Sequence, residues 1–161
     1  MPLLSADQDN AEIFGGLPAD LRAMFDYWRA KRAGRKAPAR ADIDPSEIKS
    51  LLPSMILVDV LYDSANKPDF VYRLVGTREV EVRGENPTGR RVAEAYHGPS
   101  LENVLGCYQT VIESGRPYVD DDYFVRDGDH FADEANIFLP LSSDGEHINM
   151  ILVYTAYRRI R

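Results

Sequence analysis

Cysteine is nearly absent from this chain. Cys107 stands alone among 161 residues, which excludes an internal disulfide and any cysteine-based metal cluster, and fits a reducing compartment. Histidine is almost as scarce. His97, His130 and His147 include no pair at i,i+4 spacing and have no neighbouring cysteine, so zinc has no local motif. Long apolar runs are missing as well. Stretches such as Met55–Val58 fall far short of the ~18–20 residues a membrane span needs, and the opening residues are polar and acidic, unlike a secretory leader. Positive charge is in deficit. A net charge of −7 argues against a nucleic-acid surface, which must displace counterions with a basic face. The one basic cluster, Arg29–Arg40, reads as a solvated helix end. These absences predict a cytoplasmic protein with no membrane span and no nucleic-acid partner.

What is present is an ordinary globular composition at a length suited to one domain. Residues 1–16 carry no periodicity and close on Gly15-Gly16, so they read as a mobile N-terminal arm. Leu17, Leu21, Met24, Phe25 and Trp28 then recur at three- and four-residue spacing, one apolar stripe on a helix that ends near Gly34. Asp44-Pro45-Ser46-Glu47 carries capping residues for a short helix reaching Leu52-Pro53. Residues 17–52 thus form a helical extension, expected to pack on the sheet or on a dimer mate, and 53–161 the core.

From Met55 the period changes to two. Strands are expected at Met55–Tyr62 and Phe70–Val75, and a short helix capped by Thr77 closes at Gly84. A turn of helix is expected over Val92–Tyr96. Ser100 can cap a longer helix with the stripe Leu101, Val104, Leu105, Tyr108, Val111 and Ile112, stopping at Ser114-Gly115. Strands at about Tyr118–Val125, Asn136–Leu141 and Ile148–Arg158 follow, joined at the hairpin-type dipeptides Asp127-Gly128 and Asp144-Gly145. Two strands, a helical middle and three hairpin-linked strands predict an α+β fold with an antiparallel sheet. The last strand is apolar at successive positions, Met150 to Tyr154, so both sheet faces are expected to be covered.

This layout resembles a PAS domain: a five-stranded antiparallel sheet with helices between strands 2 and 3, here with an added N-terminal helix. More narrowly the chain is similar to small bacterial stand-alone PAS-like proteins. The resemblance is carried by Tyr27-Trp28, by Pro38-Ala39-Arg40-Ala41-Asp42-Ile43-Asp44-Pro45, by Tyr72-Arg73-Leu74-Val75-Gly76-Thr77, by Pro87-Thr88-Gly89-Arg90 and by Leu139-Pro140-Leu141. It spans about residues 20–156. It implies a sensory or docking module in signal transduction, not an enzyme. PAS sensors usually continue from the last strand into a signalling helix. The sequence stops at Arg161, so regulation of a separate signalling protein, such as a histidine kinase, is the expectation.

Catalytic and metal motifs are weak. Asp120, Asp121 and Asp122 alternate faces on a strand, which suits a charge-protected edge better than a metal cage. Asp127, Asp129 and Asp133 loosely mimic a metal loop but lack its closing glutamate. His97 lies where haem-binding PAS domains place an axial ligand, yet reads better as a loop histidine. Cys107 reads as a small packed side chain rather than a photosensor thiol. No cofactor or metal is therefore expected, and an enzyme pairing Asp120 or Asp122 with His97 or His130 is the remote alternative.

A small organic ligand would sit between the sheet and the longer helix. Tyr72, Tyr108 and Tyr154 could supply its walls, Arg73 or Asn136 could orient a carboxylate or amide, and the Thr88-Gly89 loop could close over it. The competing expectation is that these side chains simply fill a core. Leu21, Met24, Phe25 and Trp28 are the expected partner or dimer surface. Two readings stand beside each other: a docking module under ligand control, and a carrier or sensor whose business is the cleft.

Overall fold

The computed structural model describes residues 3–98, 100–127 and 130–160, with side chains in 3–98, 100–121 and 134–157. Its centre is one sheet of five strands: β1 (Met55–Tyr62), β2 (Pro68–Val75), β3 (Tyr118–Asp127), β4 (His130–Leu141) and β5 (Met150–Ile160). They lie in the order β2-β1-β5-β4-β3 and every neighbouring pair is antiparallel. The fold is α+β, as the element order predicts.

Local chemistry sets the turns. Between β1 and β2 the Asp63 carboxylate accepts from the amides of Ala65 and Lys67, each at 2.9 Å, and Asn66 takes the left-handed conformation that asparagine tolerates. Between β4 and β5 the connection runs through residues 142–149 and is longer than a two-residue hairpin. There Asp144 Oδ1 accepts from the amides of Glu146 and His147, and Gly145 has φ +81°. The expected Asp127-Gly128 turn lies partly outside the described residues. β4 starts at His130, ahead of the expected Asn136, because its ladder with β5 continues to Phe131↔Ile160. Backbone pairing extends a strand through residues whose side chains carry no apolar alternation.

Among the described residues five α-helices flank the sheet: α1 (Ala11–Phe14), α2 (Ala19–Arg32), α3 (Thr77–Arg83), α4 (Val92–Ala95) and α5 (Leu101–Ser114). The expected helix after Asp44 is instead a pair of 3-10 turns, Pro45–Glu47 and Leu52–Ser54. Asp44 still caps the first, accepting from the Ser46 amide at 3.0 Å. Glu47 is diverted outward to the Tyr27 hydroxyl and Lys31. Ser100 caps α5 as expected, accepting from the Asn103 amide at 3.1 Å, and Gly115 closes it in the left-handed region. Thr77 makes no cap bond; Gly76 holds the N-cap position of α3.

The helices divide between the two faces. α2 lies across β4 and β5 on the face that carries Ile137, Leu139, Leu152 and Tyr154. The expected partner surface is corrected here. Leu21, Met24, Phe25 and Trp28 are fully buried against the chain's own sheet, because the apolar face of β4 and β5 is tethered within reach. Trp28 Nε1 donates to the Pro140 carbonyl at 2.8 Å, so the indole is buried with its polar atom satisfied. The expected mobile arm is also docked in its described part. Leu4 and Phe14 are buried, the Leu4 amide donates to the Pro117 carbonyl, and Phe14 packs on Phe25 with ring centroids 5.3 Å apart. Its large apolar residues come as two separated pairs, Leu3-Leu4 and Ile13-Phe14, which show no period, yet Leu4 and Phe14 suffice to anchor it. On the opposite face α5 buries Val104, Cys107, Tyr108 and Val111, with α3 and α4 beside it.

Candidate functional site: the cleft beneath α5

The α3–α5 face of the sheet does not close completely. A small cleft remains, with a free volume of about 30 Å³, room for a few water-sized atoms. Ile56, Val104, Phe138 and Val153 form apolar walls, and Tyr72 and Tyr108 add rings. Arg83, Tyr96, His97, Glu134, Asn136 and Thr155 bring polar atoms to the same space.

Backbone geometry holds these side chains in place. β2 carries an irregularity opposite Leu57/Val58, after which Tyr72 pairs with Val58. The outer edge of β2 is then gripped by the following loop: the Gly89 amide donates to the Tyr72 carbonyl at 2.7 Å and the Tyr72 amide donates to Arg90 at 3.0 Å. Gly89 has φ +89°, which a side chain would strain. α3 is seated just as tightly. A Cβ at Gly76 would be driven into the carbonyl oxygens of Leu52 and Pro53, so only glycine lets the helix start so close to the preceding turn.

From α3, Glu79 and Arg83 reach inward one turn apart and form an ion pair at 3.1 Å, with 2% and 10% of their side chains exposed. The Tyr157 hydroxyl donates to Glu79 Oε2 at 3.1 Å. Burial pushes the Glu79 carboxyl up, against the pull of Arg83. For Arg83 burial acts downward but is outweighed by Glu79 together with Tyr72 and Tyr157, so the guanidinium stays charged. Burial also lifts Glu134 to about 7, with the Asn136 side chain opposing and the Glu79 charge assisting. Thr155 Oγ1 donates to Asn136 Oδ1 at 2.6 Å and fixes the amide. Two donors are left over. Tyr72 Oη and Arg83 Nε are buried and have no hydrogen-bond partner among the described residues. Burial raises the Tyr72 phenol overall, and the neighbouring Arg83 guanidinium opposes it by its charge and by a hydrogen-bond approach that falls short of good geometry.

The profile of the PAS domain family matches residues 18–154, from the start of α2 into β5. The chain belongs to the PAS domain family. No curated protein and no solved structure matches it. PAS domains are sensory and signalling modules, and no helix among the described residues is long and apolar enough to cross a membrane.

Of the residues expected in the PAS cleft, Tyr72, Tyr108 and Asn136 are brought together there. Three others are not. Arg73 follows Tyr72 on a strand, so alternation turns it to the opposite face, where it pairs with Asp59 at 3.4 Å. Tyr154 lies between Val153 and Thr155, which face the cleft; its own hydroxyl donates to Asp20 of α2 at 3.1 Å. Thr88 is exposed and donates to Asn86 Oδ1 at 2.6 Å. Its loop reaches the cleft only through backbone bonds to Tyr72.

Glu79, Arg83, Tyr96, Glu134 and Thr155 were not expected. For Glu79 and Arg83 the signal was their i,i+4 spacing on a short helix, which ordinarily marks an exposed pair. Cys107 lies on the β3 side of α5, its thiol 3.7 Å from Asp120 Oδ2 and pushed up to about 12 by burial and then by that carboxylate. Such a thiol is not a nucleophile at neutral pH. Asp120 also accepts from Asn103 Nδ2 at 2.9 Å and is buried, so it serves α5 packing rather than edge protection. A bulge between Asp120 and Tyr123 interrupts the expected alternation. The side chains of Asp122, Asp127, His130 and Asp133, and all of Asp129, lie outside the described residues. Among the described residues no group of three or more His, Cys, Asp or Glu is placed to hold a metal ion. His97 borders the cleft, but a space of this size does not take a porphyrin.

Proposed function

We propose that this PAS domain regulates a separate signalling protein, such as a histidine kinase, by contact, and that occupancy of the cleft beneath α5 by a small organic ligand sets its docking competence. The observation that carries the reading is the pair of unpartnered buried donors, Tyr72 Oη and Arg83 Nε, at a cleft whose other polar atoms are largely satisfied. Burying an unmade hydrogen bond costs about 1–3 kcal/mol. A ligand that completes it shifts the population of states by its differential affinity.

The contact surface supported best is the outer part of the sheet that α2 leaves bare. Leu61 is 53% and Leu74 39% exposed there, beside the Arg73–Asp59 pair. It replaces Leu21, Met24, Phe25 and Trp28 as the candidate docking face for that signalling partner. The small volume of the cleft favours sensing over carriage, since a carrier must enclose most of its cargo. The test is an autophosphorylation assay on purified histidine kinases of the source organism. A stoichiometric effect of this chain that is weakened by Leu74→Asp is the expected result. Kinases indifferent to the protein, together with no retained ligand in native mass spectrometry, would sink the reading.

A further inference from the structure

The chemistry of the two unpartnered donors specifies what they would take. An arginine Nε–H donates and cannot accept, and a phenol beside a guanidinium has its proton free to donate. Both are at least nine-tenths buried and both line the cleft. Arg83 brings positive charge, and charge-assisted bonds to an anionic oxygen are roughly twice as strong as neutral ones. Ile56, Phe138 and Val153 offer apolar contact for a methyl group or hydrogen, and beside them Asn136 is already engaged by Thr155. The free volume of about 30 Å³ limits the occupant to very few non-hydrogen atoms.

We propose that the cleft is a receptor site for a small monocarboxylate of formate or acetate size, whose oxygens accept from Tyr72 Oη and Arg83 Nε. Glu134 faces the same space and does not veto an anion. Its carboxyl titrates near neutrality, and in the protonated form it offers a donor. Glu79 stays engaged with Arg83 Nη1 and Tyr157, leaving Arg83 Nε for the ligand. The inference rests on the sensory reading of the same cleft and names the ligand class.

The experiment is calorimetric titration of the full chain with sodium acetate and sodium formate at constant ionic strength. Acetamide and methylammonium serve as the neutral and cationic counterparts. At the efficiency typical of very small ligands, acetate is expected to bind with Kd of about 0.1–10 mM. Acetamide is expected to bind at least about tenfold more weakly, the loss of one charge-assisted bond. Tyr72→Phe removes an unpartnered hydroxyl, so it should fold with an unchanged or higher Tm while weakening acetate about tenfold. Arg83→Lys, which keeps the charge but not the Nε–H, should weaken it comparably, and Thr88→Ala should leave it unchanged.

Saturation by neither carboxylate at 50 mM, equal binding of acetamide, preference for methylammonium, or full acetate affinity in Tyr72→Phe each overturns the assignment. Failure here with a kinase effect intact leaves the docking reading standing. Acetate binding lost in Tyr72→Phe, with kinases indifferent, upholds the site and removes the docking role.

Discussion

The two faces of the sheet solve burial in opposite ways. Beneath α2, Leu21, Met24, Phe25 and Trp28 meet Ile137, Leu139 and Leu152 with little polar content, and the one buried indole N–H has its carbonyl partner; the unpartnered Arg32 Nε lies at the C-terminal end of the helix, away from that apolar contact. Beneath α3 and α5 the same sheet buries Glu79, Arg83, Asn136 and Thr155 among aromatic rings and leaves two donors unmade. A buried ion pair contributes little net stability compared with an apolar replacement of similar volume. The α2 face therefore stabilises the fold, and the α5 face carries polar atoms whose benefit lies elsewhere. That contrast is why the cleft is the candidate site.

The comparison can be broken most forcefully at Trp28. Trp28→Ala is expected to cost about 3–5 kcal/mol in urea denaturation, from the cavity and the orphaned Pro140 carbonyl, without altering the chemistry of the cleft in whatever fraction remains folded. Glu79→Ala attacks the other face. It leaves Arg83 charged and buried without its carboxylate, and about 3 kcal/mol of destabilisation is expected by the same measurement. Should Glu79→Ala prove neutral, the polar face is solvated and the contrast fails.

Glu134→Gln sharpens the difference through pH. The carboxyl has an ordinary value of 4.5 and is raised to about 7 in the fold by burial. Between those values the folded state holds more protons than the unfolded one, so wild-type stability falls as pH rises from about 4.5 and is lowest, for this group, above about 7. Glu79 and Arg83 on α3, Asp120 on β3, Tyr157 on β5 and Tyr96 after α4 act on it, and His97 lines the same cleft. The variant should be more stable than wild type by about 1–3 kcal/mol at pH 8, with little difference at pH 4.5. An unchanged slope between pH 5 and 8 would place the Glu134 carboxylate in water instead.

Legibility in the sequence followed the same division. The apolar stripe of α2, the Ser100 cap of α5, the bounds of β1 and the double-faced apolar run in β5 could all be read, because each is a local pattern of period or capping. The cleft could be read only in part. Tyr72, Tyr108 and Asn136 followed from where the long helix must lie, whereas Arg73 and Tyr154 failed by one position of strand phase, which sends a neighbour to the opposite face. Glu79 and Arg83 stayed hidden because a charged i,i+4 pair looks the same whether it is solvated or packed inward. The docking of Leu4 and Phe14 was equally silent, since Leu3-Leu4 and Ile13-Phe14 are isolated pairs that set no period.

The residues alone determined that there would be an antiparallel sheet, helices on both of its sides, and a family layout running from Tyr27-Trp28 to Leu139-Pro140-Leu141. Tertiary structure alone decided which polar groups converge. Tyr157 meets Glu79 across 78 residues of chain, and Tyr72 meets Arg83 because β2 shifts register and Gly76 lets α3 start against the carbonyls of Leu52 and Pro53. Helix and strand formation depend on neighbours a few residues away, whereas a buried polar site depends on strand phase, register and close backbone approach, which are set only when distant segments pack.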